Sequence, residues 1–371
     1  MFAAILSLLS TIAAQENAPT PGNYPSVPPP VVAANYTIRA RVLVDSSLIR
    51  GDWELGYQNR TNETLRELYL NLPHWKKSKN GESRTLVCSL DSLLVNGTPT
   101  VVQVEKGDSS KARIALDNPL QPLETLFLLA AFTTRFSPNM MSGTNLDMPA
   151  VYMVWHPSIA TFFKGKWYAG KKVRKVGWRG ELGHFNVALT VDSSFELVGP
   201  GELANEIQIY GLLPSPRHDT VILNITRSRQ KGDPVVPPLV FPTGEKTYAW
   251  RFRSAWAFPI ALGRNLVCDR AFHGGSMVSL WYPETAAGDV GDSSTLLVSE
   301  IAKLMFSGAS SDMYPNLQSS VIVGEIQGTP VRMIGLWPVE ADRTTGMIDR
   351  RKIIEGMAIT LITAQGTADH R

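Results

Sequence analysis

Tyr36-Thr37-Ile38-Arg39-Ala40-Arg41-Val42-Leu43-Val44 decides the fold class. Tyr36, Ile38, Ala40, Val42 and Val44 alternate with Thr37, Arg39 and Arg41. A period of two sends the two sets to opposite faces of a strand, one apolar and buried, the other solvated. The same period recurs downstream. Trp53, Leu55 and Tyr57 alternate with Asp52, Glu54 and Gly56, and Leu68, Leu70 and Leu72 form a third strand beyond the turn-rich Asn59-Arg60-Thr61-Asn62. Further strands are expected at 93–95, 100–104 and 112–116, and a longer apolar one at 126–132. Phe185, Val187, Leu189 and Val191 then face one way against Asn186, Thr190 and Asp192. Two more strands fit 221–225 and the Tyr248, Trp250, Phe252 alternation. Short alternating strands with frequent Gly, Pro and Asn turns specify an antiparallel sandwich. Residues 34–254 therefore read as one large β domain.

The texture changes over 255–371. Residues 276–282 read as a strand ended by Pro283, after which Asp292-Ser293-Ser294 offers side-chain oxygens to unpaired amides at a helix start. Leu297, Ile301, Leu304 and Met305 would be that helix's apolar stripe, and strands at 320–326 and 331–336 and a helix at 349–363 follow. The expected fold class is thus mainly β: a large antiparallel sandwich or saddle domain, then an incomplete α+β domain.

A chain of 371 residues, 44% hydrophobic and 19% charged, suits two domains with real cores and argues against wholesale disorder. Its formal net charge of +3 gives no case for nucleic acid as a partner. Residues 1–14 read as a secretory signal: the apolar run Phe2-Ala3-Ala4-Ile5-Leu6-Ser7-Leu8-Leu9-Ser10 leads to Ala13-Ala14, although no Lys or Arg precedes it. That run is too short to cross a bilayer, and no later stretch is long and apolar enough, so no transmembrane segment is expected. The reading implies export to a periplasm, cell envelope or extracellular space. Residues 15–33, with Pro19, Pro21, Pro25 and Pro28-Pro29-Pro30, make an extended spacer. The two cysteines, Cys88 and Cys268, admit either one bridge or two unpaired buried thiols.

Several segments, in order, are similar to the opening of aminopeptidase N-like (gluzincin) zinc metallopeptidases. Tyr36-Thr37-Ile38-Arg39-Ala40-Arg41-Val42 is followed by Ile49-Arg50-Gly51-Asp52-Trp53-Glu54-Leu55, then Asn59, then Leu65-Arg66-Glu67-Leu68-Tyr69-Leu70-Asn71-Leu72. Those resemble the family's strand, "G-x-x-x-[LIV]" strand, turn Asn and "L-x-L-x-L" strand. Gly183-His184-Phe185-Asn186-Val187-Ala188-Leu189-Thr190-Val191 with Gly199-Pro200-Gly201-Glu202-Leu203-Ala204-Asn205 resembles a later strand and its "G-E-L" turn. Tyr248-Ala249-Trp250-Arg251-Phe252 would be the last strand before the catalytic domain, and Met313-Tyr314-Pro315 resembles a "Y-P" after that domain's first helix. The likeness spans about residues 35–340, the N-terminal half of the family pattern. It implies a saddle-like β domain leading into a peptidase lobe, with zinc as cofactor.

The chain departs from that family where its chemistry sits. The resemblance implies a carboxylate that pairs with the substrate's free amine, on a "G-x-M-E-N" or "G-M-E-Y-P" strand. The matching stretch is Ile334-Gly335-Leu336-Trp337-Pro338, which puts Leu336 in the glutamate's place. Glu340 is a possible substitute, though an ordinary surface carboxylate is the simpler assignment. Zinc needs H-E-x-x-H so that two imidazoles reach one ion from one helix face. The six histidines are His74, His156, His184, His218, His273 and His370, and no two have that spacing. Laid over the motif, Ile354-Glu355-Gly356-Met357-Ala358 matches only at Glu355. No zinc or other cofactor is therefore expected on this chain.

One basic stretch suggests binding. Lys164, Lys166, Lys171, Lys172, Arg174, Lys175 and Arg179 are interleaved with Trp167, Tyr168 and Trp178. Such a set could grip single-stranded nucleic acid, which an exported protein rarely meets, an anionic envelope polymer or an acidic partner, or could be a solvated hairpin with aromatic anchors in the core. His156, in Trp155-His156-Pro157, reads as a packed turn residue. No G-x-S-x-G elbow, phosphate loop or dinucleotide fingerprint is present. Three functions stand: a non-catalytic binding or scaffold relative of the peptidases with a peptide or protein partner, the leading portion of a zinc aminopeptidase, or an unrelated extracellular β-sandwich binding module.

Overall fold

The computed structural model describes residues 32–79, 82–136, 149–152, 154–170, 180–211, 221–222, 244–273, 276–284, 318–326 and 329–336. The first strands are β1 (Ala34–Leu43), β2 (Leu48–Gln58), β3 (Leu65–Asn71), β4 (His74–Lys79) and β5 (Glu82–Val95). Next come β6 (Thr98–Pro99), β7 (Gln103–Glu105), β8 (Asp108–Leu120) and β9 (Thr125–Phe136). The middle of the chain gives β10 (Ala150–Tyr152), β11 (Ser158–Ile159), β12 (Thr161–Phe163), β13 (Lys166–Tyr168), β14 (Gly183–Asp192), β15 (Glu196–Val198) and β16 (Glu202–Leu203). A five-residue helix α1 (Glu206–Tyr210) precedes β17 (Val221–Ile222). The rest are β18 (Glu245–Ala255), β19 (Ile260–Gly263), β20 (Leu266–His273), β21 (Ser276–Pro283), β22 (Gln318–Ile326) and β23 (Thr329–Leu336).

The described protein is mainly β, as its alternation specifies. In β1 the residues Tyr36, Ile38, Ala40 and Val42 are buried while Asn35, Arg39 and Arg41 are exposed. The same pattern runs along β14, with Phe185, Val187, Leu189 and Val191 inward. These strands belong to a nine-stranded sheet ordered β16-β18-β14-β1-β2-β9-β5-β4, with β6 joined to β5. A second sheet of eight strands is ordered β15-β19-β10-β22-β21-β20-β17, with β23 joined to β22. Smaller sheets are β11-β3-β8-β7 and the β12-β13 hairpin. Pairing is antiparallel except for β1 with β14, β10 with β22 and β21 with β22.

The core is built on large rings. Trp53, Trp155, Tyr36, Tyr57, Phe132, Phe185 and Phe258 are among its fully buried side chains, each worth roughly 1.5–3 kcal/mol of transfer free energy. Tyr36 and Phe185 stack with centroids 4.5 Å apart, and the Tyr36 hydroxyl accepts the Ile159 amide proton at 3.1 Å.

One feature differs from the sequence expectation. Residues 100–104 do not form one strand: Thr98–Pro99 and Gln103–Glu105 are separate, because the Thr100 amide turns back to the Leu93 carbonyl at 3.0 Å. The chain on either side of residue 254 shares one sheet and one core. Strand β19 pairs with both β10 and β15, and the Trp155 indole donates to the Phe258 carbonyl at 2.7 Å. The helices expected at 292–305 and 349–363 lie outside the described residues.

Candidate functional site

Of the basic stretch, Lys164, Lys166 and Trp167 are described; Lys171, Lys172, Arg174 and Trp178 lie outside the described residues. Lys164 and Gly165, at φ 50° and 72°, form the tight turn between β12 and β13. Trp167 points at the core, with centroids 5.1 Å from Phe162, 6.0 Å from Tyr69 and 6.5 Å from Tyr57. It anchors the hairpin. Lys166 is exposed, and the Lys164 ammonium sits 5.2 Å from the Phe163 ring centre. Leu336 is the last residue of β23, opposite Ser320 of β22. Glu340 and Glu355 lie outside the described residues.

A buried polar seam joins the two large sheets, and nothing in the sequence reading anticipates it. Lys246 on β18 reaches Glu196 on β15 at 2.6 Å, and the Tyr248 hydroxyl donates to the same carboxylate. On β20, Arg270 donates through Nε to the Ser279 hydroxyl at 3.1 Å and through Nη2 to Glu206 on α1. Burial, the largest single influence, pulls the Arg270 guanidinium down, but the Glu206 carboxylate together with Cys268 and Tyr210 more than offsets it and the net shift is upward. The Tyr282 hydroxyl donates to Asp269 at 2.6 Å. Tyr210 and Trp281 border a cavity of about 20 Å³, room for one water. Their Oη and Nε1 find no hydrogen-bond partner among the described residues. The seam's ion pairs are matched, with both cations buried and both carboxylates partly exposed, which fits a joint between sheets better than a reaction centre.

An open groove lies on the outward face of the first sheet. Strand register places His184, Asn35, Gly56 and Phe127 in one row across β14, β1, β2 and β9. Gly56 has no side chain, so the row dips there. The Phe127 ring leans in from one side, 3.4 Å from where a Gly56 Cβ would stand, yet keeps 64% of its surface exposed. The groove measures about 590 Å³, and Thr37, Glu54, Gln58, Arg60 and Leu129 also line it. Its sequence signal is 126–129, Leu-Phe-Leu-Leu, apolar on both faces of a strand whose outer face should be polar.

No family model matches the sequence, and no curated protein matches it either. Solved structures do align. A point variant of the M1 zinc metallopeptidase from Deinococcus radiodurans aligns at 11% identity and TM-score 0.42, over 77% of this chain and 56% of that one. The enzyme from the same organism without that substitution aligns at 13% identity and TM-score 0.38, over 67% and 48%. A two-domain M1 zinc metallopeptidase variant bound to L-arginine aligns at 14% and 0.45, over 91% and 72%. All three are M1 zinc metallopeptidases. This chain spans about half the length of the first two.

The described residues do not fit a zinc ion. Among them no three His, Cys, Asp or Glu side chains come together as a metal site requires. His156 is enclosed by Trp155, Phe185 and Tyr36, with centroids 5.0, 5.7 and 6.1 Å away. Its Nδ1 donates to the Pro157 carbonyl at 2.8 Å. Burial lowers its pKa to about 4, so it is a neutral packing residue at pH 7. Cys88 and Cys268 are both free and buried. Burial raises the Cys88 thiol to about 12 and pushes Cys268 up as well, which leaves neither a ready ligand nor a nucleophile. Among the described residues no helix is long and apolar enough to cross a membrane.

Proposed function

We propose that this chain is an exported, non-catalytic relative of the aminopeptidase N-like peptidases, with a binding or scaffold role toward a peptide or protein partner. The ordered segments from Tyr36 through Tyr248 support the kinship, and the mainly β architecture agrees with it. One observation carries the loss of chemistry: the strand that resembles the amine-binding element ends in Leu336. Leucine has no charge to hold a substrate ammonium, whatever happens at the metal site. The lack of any H-E-x-x-H spacing among the six histidines supports the same reading.

Purified chain, dialysed and analysed for zinc by atomic emission, should contain no stoichiometric metal. It should release no p-nitroaniline from Leu- or Ala-p-nitroanilide above background, with or without 1,10-phenanthroline. One zinc per chain together with chelator-sensitive hydrolysis would overturn the proposal in favour of an active aminopeptidase. An H-E-x-x-H encoded downstream in the same transcript would make this the leading portion of such an enzyme.

A further inference from the structure

We propose that the groove around Phe127 is a binding site for neutral oligosaccharides; this does not depend on the peptidase kinship. Its volume of about 590 Å³ lies within the range of small-ligand sites, roughly 300–1,000 Å³. Its lining combines two chemistries. Phe127 offers an exposed ring, whose electron-rich face attracts the weakly positive C–H groups on one side of a pyranose. Asn35, Gln58, Glu54 and Arg60 line the same groove with planar amide, carboxylate and guanidinium groups, the Gln58 Nε2 already donating to the Leu123 carbonyl at 2.8 Å and its Oε1 left to accept. Such groups meet the vicinal hydroxyls of a sugar with paired hydrogen bonds.

Charge selects among ligands. The lining holds one carboxylate, Glu54, and one guanidinium, Arg60. Glu54 is itself paired with Arg39 at 2.6 Å. That leaves Arg60 as the lining's remaining charge and no cluster of like charge to select an anionic or cationic polymer, so the complementary ligand is uncharged, polar at its rim and apolar on one face. Asn35, Glu54, Gln58 and Phe127 project from β1, β2 and β9, whose mutual register fixes their spacing before any ligand arrives. Gly56 lowers the floor and the Phe127 ring reaches to 3.4 Å from where its Cβ would stand, so the exposed side of that ring is the wall against which a sugar ring would lie.

Isothermal titration of the full chain with chitotetraose, maltotetraose, xylotetraose and cellotetraose tests the site. At least one should bind, and Phe127→Ala should weaken it at least about tenfold. Phe127 is mostly exposed, so that variant should fold. Gly56→Thr is the second variant: it fills the floor with a strand-favouring residue and should abolish binding while leaving the melting temperature unchanged or raised. Lys164→Ala, on the β12–β13 hairpin, should bind as the unaltered chain does. Failure of all four sugars to bind, or equal binding by Phe127→Ala and Gly56→Thr, overturns the proposal. So does a concentration-dependent dimer in sedimentation that Phe127→Ala dissolves, which would make the face a protein contact.

Discussion

His156 and Asn59 are both buried polar residues, and each shows how one side chain is satisfied away from water. His156 must stay neutral among its aromatic neighbours, with its pKa at about 4 in the folded chain and about 6.5 in the unfolded one. Between these values the unfolded state binds a proton that the native state refuses. Stability is therefore unaffected above about pH 7 and falls as pH drops from about 6.5 toward 4, by about 3 kcal/mol in total. Urea unfolding at several pH values should show that slope, and His156→Gln should flatten it even if the variant is less stable throughout. Half-buried His184, whose pKa is lowered by desolvation and then by Arg253, contributes in the same direction, so the difference between the two proteins isolates His156. Asn59 is wholly buried. Its Nδ2 donates to the Glu63 and Leu120 carbonyls at 2.8 and 3.1 Å, and its Oδ1 accepts from the Thr61 amide and hydroxyl at 3.0 and 2.7 Å. It thereby ties the turn after β2 to the end of β8. Asn59→Ala strands these groups and should cost about 2–3 kcal/mol in equilibrium unfolding, and Asn59→Asp should cost at least as much, because the buried oxygen replacing Nδ2 would face the Glu63 and Leu120 carbonyls.

Strand β2 carries two glycines with opposite tolerances. Gly51 stands opposite Ala40 of β1, and a Cβ there would lie 2.2 Å from the Arg39 carbonyl oxygen. Backbone cannot move aside as a flexible side chain can. Gly51→Ala should therefore destabilise by about 1–3 kcal/mol or more, measured by chemical denaturation. Gly56, in the same strand, meets only the edge of Phe127 at 3.4 Å. Gly56→Ala should be neutral or slightly stabilising, since a residue other than glycine loses less backbone entropy on folding. If both changes prove equally tolerated, the close approach of β1 and β2 at Gly51 is misplaced. The β5–β6 hairpin is a third case at this scale. Asn96 and Gly97 adopt φ 49° and 84°, the left-handed pair that a two-residue hairpin turn demands, and the Asn96 side chain also accepts the Phe127 amide at 2.9 Å.

At the scale of the molecule, the two large sheets are welded by side chains and strands from both sides of residue 254. Phe258, Ile260 and Leu262 are buried in the same cluster as Tyr36, Trp155 and Phe185. The seam adds Lys246 with Glu196 and Arg270 with Glu206. Removing either carboxylate would leave a buried cation uncompensated, at a cost of at most about 3–5 kcal/mol, since water still reaches Glu196 and Glu206. A fragment of residues 34–254 would expose the Trp155 indole and leave Glu206 without Arg270. It should lack a cooperative thermal transition and show collapsed near-ultraviolet circular dichroism. A sharp two-state melt of that fragment would mean that the first β domain is self-sufficient.

What the sequence determined by itself was local and periodic. The alternation of Tyr36, Ile38, Ala40 and Val42 appears in the burial of β1, and Pro283 is the last residue of β21. Both follow from backbone geometry within a few residues. The strand at 126–132 was legible, but the use of its exposed Phe127 was not, because exposure of one face depends on which strands flank it. Only the tertiary structure brought Glu196 to Lys246 and Glu206 to Arg270, pairs 50 and 64 residues apart. Only it set Phe127 beside Gly56 and Asn35 in one row. Such proximity is a property of sheet order and register, and no short window of sequence carries it.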